Sequence, residues 1–267
     1  MTLTVERNGA VTTLVRSRVE ARNAMDPSSA EALTEALLAF DRDDTQSVAV
    51  LWGAGGAFCA GFDLKYAGSL VGQNDPLGAL DFPKEHSRPI PRGPMGPTRL
   101  QLSKPVIAAI AGPAVAGGME LALWCDIRVM EESAYMGVYC RRWGVPLIDG
   151  GTVRLPRIVG RGRALDIILT GRKVPAAECE RIGLCERLVP DGESRAVAED
   201  LAREIARFPQ GCMRADRRSV WLQEGLDEMD GLRAEWACSA AMVAQEGAAG
   251  AVRFASGKGR HGDFNAI

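Results

Sequence analysis

Two short glycine-containing segments, residues 58–65 and 114–120, have the composition of a site that stabilises negative charge. Each follows an apolar run, residues 47–52 and 105–110, that is typical of a buried strand. We expect these runs to be neighbouring parallel strands, so that the turns at their ends meet. Glycine in such a turn can leave a main-chain N–H free, and two free donors can hold a carbonyl oxygen that gains negative charge. The spacing therefore predicts an oxyanion hole.

A carboxylate lies close to the second segment. Glu120 falls in the first turn of a helix that Gly117 is expected to open, and helical side chains lean toward the helix N-terminus. The helix N-terminus favours the ionised carboxylate, whereas burial favours the neutral acid. Where burial prevails, Glu120 is poised to transfer a proton at the oxyanion hole. The simpler interpretation is a glutamate placed where the helix dipole favours it.

Three further segments, residues 21–26, 150–156 and 169–172, join the first two in a recognisable order and spacing. In these five segments the chain resembles the enoyl-CoA hydratase/isomerase (crotonase) superfamily, and the resemblance extends over residues 5–188. It implies an α/β fold, namely a crotonase-like spiral of repeated β-β-α units with a C-terminal helical oligomerisation region. It also implies an acyl-CoA thioester as substrate and a homotrimer or a dimer of trimers as the assembly.

The resemblance assigns the two amides of the oxyanion hole to Phe62 and Gly117. It assigns an acid–base role to Glu120, which matches the first of two glutamates used by hydratases of the family. Because only the N–H of Phe62 is used, its side chain is free to vary, and we expect the phenyl ring to narrow or reshape the acyl pocket. Without the neighbouring glutamate, Gly117 and Gly118 would indicate only a helix start chosen for close packing.

The chain departs from the family pattern at the second glutamate, where the resemblance places Cys140. A thiol does not hold and deprotonate water as a carboxylate does, and an acid–base residue commonly contributes ~10²–10⁴ in rate. We interpret Cys140 as a buried apolar side chain, with a nucleophilic or redox role as the alternative. Asp149 could compensate, because several isomerases and hydrolases of the family place a catalytic aspartate near this position. Alternatively, Asp149 caps the helix that follows it.

By the same resemblance, CoA is expected to contact two turns of the core and the tail of a neighbouring subunit. The residues assigned to this contact are Arg22, Ala24, Ala60, Asp63, Leu64, Lys65 and Gly118, with Phe254 and Lys258 from the tail. Lys65 suits the phosphates by its charge, whereas Arg22 could equally be a surface residue. CoA is part of the substrate, so no separate cofactor is expected.

Several other activities lack support in the sequence. The two histidines, His86 and His261, lie in polar surroundings where solvent exposure is expected, which disfavours a Ser-His-Asp hydrolase. No Walker A or dinucleotide-binding glycine pattern follows a strand, so nucleotide hydrolysis and hydride transfer are not indicated.

Composition narrows the class of protein further. The net charge of −2 over 267 residues provides no basic field, so nucleic acid is not an expected partner. Seven cysteines without Cys-x-x-Cys spacing argue against a disulfide framework and against a zinc site. Residues 1–7 lack the apolar stretch of a signal peptide, and no run reaches the ~18 apolar residues of a membrane span. We therefore expect a cytoplasmic protein without a metal and without a membrane partner.

Local signals predict the elements that must position the site. An Asn-Gly pair predicts a hairpin between strands at residues 3–7 and 11–16. Asp26 is a good N-cap for a helix with Pro27 in its first position. Strand, glycine turn and helix then repeat, which indicates parallel pairing through crossover connections.

A long irregular segment interrupts this pattern at residues 70–97, where prolines and glycines break any period. A short helix could begin at Leu77. A loop of this length is either a lid over the acyl pocket or a surface excursion, and the sequence leaves both open.

The chain after Pro190 has helical periodicity and little strand character. The predicted helices lie at residues 194–208, 211–223 and 226–245. We therefore divide the chain into an α/β core at residues 1–190, which carries the acyl-CoA site, and a helical region at 191–267. These helices either cap the core or, as the resemblance implies, form the interface of an oligomer.

Together these features predict an acyl-CoA enzyme that resembles an enoyl-CoA hydratase, with Glu120 as its main acid–base group. A double-bond isomerase is an alternative, because shuttling a proton between two carbons needs a single carboxylate. A thioester hydrolase that uses Glu120 and Asp149 is another. An acyl-CoA-binding scaffold without catalysis is the alternative from a different class of protein.

Overall fold

The computed structural model describes residues 2–75, 77–85 and 89–259. The chain begins with an antiparallel hairpin of β1 (Thr2–Asn8) and β2 (Val11–Ser17). Gly9 and Ala10 form the turn, and Gly9 has a φ of 59°, which glycine adopts without strain. The predicted hairpin is confirmed, with strands slightly longer than expected.

The first helix, α1 (Pro27–Arg42), begins where the sequence predicts. The Asp26 carboxylate accepts a hydrogen bond of 2.8 Å from the Ser29 amide, and Pro27 occupies the first helical position. The apolar side chains that recur at helical spacing form the buried face, which includes Ala30, Leu33, Leu37 and Phe40. The predicted cap and helix are confirmed.

Further strands and helices follow along the first part of the chain. In chain order they are β3 (Val48–Gly53), α2 (Leu64–Gly68), β4 (Val106–Ile110), β5 (Pro113–Val115), α3 (Gly117–Trp124), β6 (Ile127–Glu131), β7 (Tyr135–Gly137), α4 (Gly151–Val159), α5 (Arg161–Thr170), β8 (Val174–Pro175), α6 (Ala176–Arg181), β9 (Arg187–Val189) and α7 (Ser194–Ala206).

Six strands form the main sheet, in the order β1-β2-β3-β4-β6-β9, and every pair except β1 with β2 is parallel. β3 pairs directly with β4, from Ala49 opposite Val106 to Trp52 opposite Ala109. The two apolar runs of the sequence are therefore neighbouring parallel strands, as predicted. A second, smaller sheet has the order β5-β7-β8.

The core is continuous through the centre of this sheet. All five residues of β4 are buried, as are the first four of β3, so both strands are covered on both faces. All eight residues of α3 are buried as well. Because α3 is buried along its whole length and lies between β5 and β6 in the chain, the position of its N-terminus is fixed by the surrounding core.

The long segment between α2 and β4 is irregular but anchored. It contains short 3₁₀ turns at Gly78–Leu80 and Pro97–Arg99, the first of which replaces the helix expected from Leu77. Arg99 donates a hydrogen bond of 2.5 Å to the Leu80 carbonyl, and its guanidinium lies 4.2 Å from the centroid of the Phe82 ring. Arg99 therefore connects the part of the loop around Leu80 with the C-terminal part of the loop, which leads into β4.

The described residues divide into two compact units, with the division after Ala202 inside α7; our predicted boundary lay at residue 190. The second unit contains α8 (Gln210–Leu222), α9 (Glu228–Met242), a π-helical turn (Val243–Gly247) and α10 (Ala248–Ala255). The predicted helices are confirmed to within a few residues, and α10 lies beyond them.

Candidate active site

An isolated β-bridge joins the two glycine-containing turns. Cys59 pairs with Ala114 in parallel: the Cys59 amide donates to the Pro113 carbonyl, and the Val115 amide donates to the Cys59 carbonyl, both at 3.0 Å. The segment that follows β3 therefore lies directly beside the segment that leads into α3. The turns meet, as the strand order predicts.

Glycine is required on both sides of this contact. Gly61 has a φ of 98°, and a Cβ at this position would lie 2.9 Å from the Cβ of Ala116 and 3.0 Å from the nitrogen of Gly117. A Cβ at Gly118 would lie 2.1 Å from the carbonyl oxygen of Cys59. Any larger residue at position 61 or 118 would push the two turns apart, which explains the glycines of both segments.

A second bridge sets the direction of the Phe62 amide. Met25 pairs with Phe62: the Met25 amide donates to the Gly61 carbonyl, and the Asp63 amide donates to the Met25 carbonyl, both at 2.8 Å. Successive N–H groups of an extended segment point to opposite sides, so the Phe62 N–H points away from Met25. Among the described residues it has no hydrogen-bond acceptor.

The Gly117 amide is the first of α3, where no preceding turn supplies an acceptor. Ala116, just before it, has a φ of 54° and a ψ of −128°, a backbone conformation that alanine rarely adopts. This strain fixes the orientation of the peptide that carries the Gly117 N–H. No residue in the described ranges accepts a hydrogen bond from that N–H either.

Phe62 and Gly117 line the same cavity, which has a volume of about 380 Å³. Most of the wall is apolar and includes Leu70, Leu77, Met95, Val115, Trp143 and Ile148. Because Leu70, Leu77 and Met95 belong to the long irregular segment, that segment forms part of the pocket wall rather than only a surface excursion. The cavity also contains two carboxylates and one thiol, which are described next.

Glu120 is 3% exposed and lines this cavity. Its Oε1 accepts hydrogen bonds from the Asp149 amide at 2.9 Å and the Gly151 amide at 2.8 Å. Its Oε2 has no hydrogen-bond partner among the described residues. Burial, and then the negative charge of Asp149, raise the pKa of Glu120 to about 7, although both amide hydrogen bonds act in the opposite direction. Such a carboxyl group can take up and release a proton near neutral pH.

Asp149 lines the cavity beside Glu120 and is equally buried, with 4% exposure. Its Oδ1 accepts hydrogen bonds from the Thr98 hydroxyl at 2.5 Å and from the Met95 amide at 3.0 Å. Burial raises the pKa of Asp149, whereas these two hydrogen bonds lower it, and the net shift is upward.

The interpretation of Asp149 as a helix cap is wrong. The N-cap of α4 is Gly150, which has no side chain that could bond to the amides of the helix. The Gly151 amide already donates to Glu120, so an acceptor from α3 satisfies the start of α4. The Asp149 carboxylate is thereby left to bind the loop instead.

Arg154 holds Asp149 and Thr98 together, and Gly93 leaves room for their contact. Arg154 donates to the Asp149 carbonyl at 2.9 Å and to the Thr98 carbonyl at 2.7 Å. A Cβ at Gly93 would lie 2.4 Å from Oδ1 of Asp149, so this close approach requires glycine. Sequence reasoning missed Thr98, because nothing in its proline- and glycine-rich surroundings marks a partner that lies 51 residues away.

Cys140 lies on the wall of the cavity, in the 3₁₀ turn Tyr139–Trp143. It is 7% exposed, in agreement with its interpretation as a buried side chain. Burial, and then the charge of Glu120, raise the pKa of the Cys140 thiol. The thiol and the carboxylate therefore share one electrostatic environment.

The predicted CoA contacts lie in different places in the structure. Arg22, Ala60 and Leu64 line the cavity, whereas Ala24 and Gly118 are buried outside its lining and Lys65 is exposed on α2. Phe254 and Lys258 belong to the second unit. These assignments stay predictions. The histidines at positions 86 and 261 lie outside the described residues.

Asp63 has a structural partner that sequence reasoning missed. Its Oδ1 caps α2 by accepting from the Lys65 amide at 2.8 Å, and its Oδ2 lies 2.6 Å from the guanidinium of Arg18. Arg18 also donates to the Ala24 carbonyl at 3.2 Å. Arg18 therefore supports the segment that pairs with Phe62, and no local signal in the sequence distinguishes it from a surface arginine.

Within residues 2–75, 77–85 and 89–259, no group of three or more histidine, cysteine, aspartate and glutamate side chains could hold a metal ion. In the same ranges, no helix combines the length and apolar character needed to span a bilayer.

Comparison with known proteins identifies the family of this chain. The family model for enoyl-CoA hydratase/isomerase matches residues 6–254. The chain is 36% identical over 236 residues to enoyl-CoA hydratase EchA19 of Mycobacterium tuberculosis, an alignment that covers 86% of this chain and 84% of that protein.

Solved structures show the same architecture. Enoyl-CoA hydratase EchA1 from Mycobacterium marinum matches with a TM-score of 0.84 and 27% identity over 95% of both chains. Enoyl-CoA hydratase from Bacillus anthracis matches with a TM-score of 0.81 and 28% identity over 96% of both chains. The chain belongs to the enoyl-CoA hydratase/isomerase family, and its fold is the crotonase spiral that the sequence predicts.

Proposed function

We propose that this chain is a hydratase-like enzyme of 2-enoyl-CoA thioesters. The amides of Phe62 and Gly117 bind the thioester oxygen, and Glu120 transfers the proton. The observation that carries the proposal is Glu120 itself, a carboxyl group with a pKa of about 7 in the same cavity as two amides that lack an acceptor among the described residues. Membership of the family supports the substrate class. CoA enters as part of the substrate, and the proposal needs no other cofactor.

The two amides supply the electrostatic part of the reaction. Addition to the β-carbon of a conjugated thioester moves an electron pair onto the thioester oxygen, which becomes an enolate. Rigid N–H donors in an apolar cavity stabilise that charge without reorganising, and each such donor contributes roughly 10²–10³ in rate. The bridges at Cys59 and Met25 hold the donors in place before substrate binds.

Glu120 supplies the proton transfer. Two main-chain amides hold its Oε1, which leaves Oε2 available to the cavity. In the ionised form it accepts a proton from water as the oxygen attacks the β-carbon, and as the acid it returns a proton to the α-carbon. Asp149 assists by its charge, which favours the protonated form of Glu120.

The test is an assay of wild type and Glu120→Gln with trans-2-enoyl-CoA thioesters of several chain lengths, following the loss of conjugated-enoyl absorbance. We expect the variant to bind the thioester and to lose ~10²–10⁴ in turnover. Glu31→Gln, at an exposed glutamate of α1, is the matched control and should behave as wild type. Binding without any turnover by the wild type would instead indicate an acyl-CoA-binding scaffold.

An isomerase is the second candidate, and Cys140 is the observation that favours it. The cavity offers a thiol where hydration would use a second carboxylate, whereas moving a double bond needs only Glu120. A 3-enoyl-CoA substrate distinguishes the two, because isomerisation creates conjugated absorbance. Release of free CoA thiol would support the hydrolase alternative.

We also propose that the chain assembles as a homotrimer or a dimer of trimers through its helical region. Large apolar side chains there are exposed in the single chain, including Trp236 at 76%, Val252 at 70% and Phe254 at 61%. Such exposure is typical of surfaces that become buried in an assembly. Light scattering should give three or six times the chain mass of 28.6 kDa, and a monomer would contradict the proposal.

A further inference from the structure

The thiol of Cys140 is a nucleophile that the proposed reaction does not use. The chain has seven cysteines, of which Cys140 is the one on the wall of the candidate active site. The four other buried thiols are engaged with main-chain carbonyls: Cys59 with Asn23 at 3.2 Å, Cys125 with Leu121 at 3.5 Å, Cys179 with Val174 at 3.5 Å and Cys185 with Arg187 at 3.9 Å. Cys212 is exposed and Cys238 is half-buried, and neither lines this cavity.

A second group in the cavity supplies what this thiol needs in order to react. Glu120 is only 3% exposed. Its Oε2 lacks a hydrogen-bond partner among the described residues. Burial, and then the charge of Glu120, raise the pKa of the Cys140 thiol, so the thiol is neutral until a base removes its proton. A neutral thiol reacts slowly, because the thiolate is the nucleophile. A carboxylate that titrates near neutral pH can remove its proton as the sulfur attacks.

The electrophile follows from the proposed function, on which this inference rests. In a 2-enoyl thioester the carbonyl draws electrons from the double bond, so the β-carbon accepts nucleophiles, sulfur included. Two amides that bind the thioester oxygen increase this reactivity, because they stabilise the enolate that addition forms. The arrangement that activates the substrate toward water therefore activates it toward a thiol on the same wall.

We propose that Cys140 is a site of covalent modification by α,β-unsaturated acyl-CoA thioesters, whose β-carbon bonds to its sulfur. Glu120 takes the thiol proton, and the sulfur electron pair forms the S–Cβ bond. The π electrons move to the thioester oxygen at Phe62 and Gly117. The enolate then collapses as Glu120 returns the proton to the α-carbon. One S–H bond and one C=C π bond are replaced by S–C and C–H bonds, with no leaving group, oxidant or reductant.

Intact-protein mass spectrometry tests this step. The full-length chain is incubated with crotonyl-CoA, quenched in acid and weighed, and the modified peptide is then mapped. We expect a mass increase equal to one molecule of crotonyl-CoA, located on Cys140. Butyryl-CoA, which lacks the double bond, should give no increase. Glu120→Gln should slow the formation of the adduct by ~10²-fold or more, because the thiol loses its base.

Matched cysteine variants separate this site from general thiol chemistry. Cys140→Ser should abolish the adduct, whereas Cys212→Ser and Cys238→Ser should form it as wild type does. An adduct that persists in Cys140→Ser, or that forms equally with butyryl-CoA, would overturn the proposal.

The outcomes also distinguish this proposal from the function on which it rests. Turnover of crotonyl-CoA by wild type without any adduct would overturn the modification of Cys140 and leave the hydratase proposal intact. An adduct on Cys140 without turnover would support the modification while contradicting catalysis. If calorimetry detects no binding of crotonyl-CoA and neither reaction occurs, both proposals fail.

Discussion

The main-chain amide of Asp149 donates a hydrogen bond of 2.9 Å to the carboxylate of Glu120, while the two acidic side chains remain on separate partners. Glu120 takes the amides at the start of α4, and Asp149 takes Thr98 and Met95 from the loop. Two buried carboxyl groups are thus held close together without sharing a hydrogen bond. Their charges oppose each other, which is one cause of the raised pKa of Glu120.

The first prediction concerns stability and pH. Burial, followed by the charge of Asp149, raises the pKa of Glu120 from its usual 4.5 to about 7, so between these values the folded protein binds more protons than the unfolded chain. The free energy of unfolding must therefore fall as the pH rises through this interval. Glu120→Gln removes that dependence, which amounts to about 3 kcal/mol.

Urea unfolding of wild type and Glu120→Gln at pH 5 and pH 8 measures this effect. Relative to wild type, the variant should gain stability on going from pH 5 to pH 8. An equal stability difference at both pH values would show that Glu120 ionises normally in the folded protein.

The second prediction concerns the coupling of the two acids. Asp149→Asn keeps an acceptor for Thr98 and Met95 but removes a negative charge next to Glu120. The pKa of Glu120 should therefore fall. Because Glu120 must be ionised to accept a proton, the acidic limb of kcat/KM should move to lower pH. Asp44→Asn, at an exposed position, is the control whose profile should stay in place; an unmoved limb in Asp149→Asn would argue against the coupling.

The third prediction concerns the contact between the glycine turns. Gly61→Ala places a methyl group 2.9 Å from Ala116 at a φ of 98°, so we expect a loss of about 1–3 kcal/mol in stability. Separation of the Phe62 and Gly117 amides should lower kcat more than binding. Gly162→Ala, in α5 with open space around it, should instead stabilise by up to about 1 kcal/mol. Wild-type kcat in Gly61→Ala would contradict a rigid oxyanion hole.

The fourth prediction concerns Arg18. Burial favours the neutral acid, but hydrogen bonds from Arg18 and from the Lys65 amide outweigh it and lower the pKa of Asp63. Arg18→Met leaves this carboxylate buried without its cation, at a cost of about 2–3 kcal/mol. Because the depressed pKa contributes stability that is lost as pH falls, the deficit should be largest at neutral pH and shrink in acid.

The control for Arg18 is Arg7→Met. Arg7 pairs with Asp43 at 3.4 Å on the surface, with 57% of its side chain exposed, and exposed pairs of this kind contribute little to stability. Chemical denaturation of both variants from pH 3 to pH 7 gives the comparison. A deficit in Arg18→Met that does not depend on pH would mean that its aliphatic packing, rather than its charge, stabilises Asp63.

Several elements were predictable from local sequence. The Asp26-Pro27 pair begins α1 at the expected residue, because a cap acts on amides two or three positions away. The apolar runs that became β3 and β4 pair with each other because strands without polar faces must be covered on both sides. The glycines at 61 and 118 marked the site because a close approach of two backbones tolerates no Cβ, whereas a Cβ at Gly117 would meet the Met95 side chain.

The role of Asp149 shows where local sequence stops being sufficient. As a turn aspartate before a helix it has the pattern of a cap, yet Glu120 of α3 supplies the acceptor and Gly150 the cap position. Thr98 and Met95, its actual partners, lie more than fifty residues away in a loop without periodicity. The partners of the Asp149 carboxylate therefore depend on which distant groups the fold brings next to it.

Local composition was enough to place strands, caps and glycine turns in this chain, because those features depend on neighbours a few residues apart. The pKa of Glu120 near 7, the partner of Asp149 and the shared wall of Glu120 and Cys140 were decided by the tertiary structure. Each of these depends on burial and on charges brought together from distant segments, and electrostatic energies in an apolar interior change steeply with such distances.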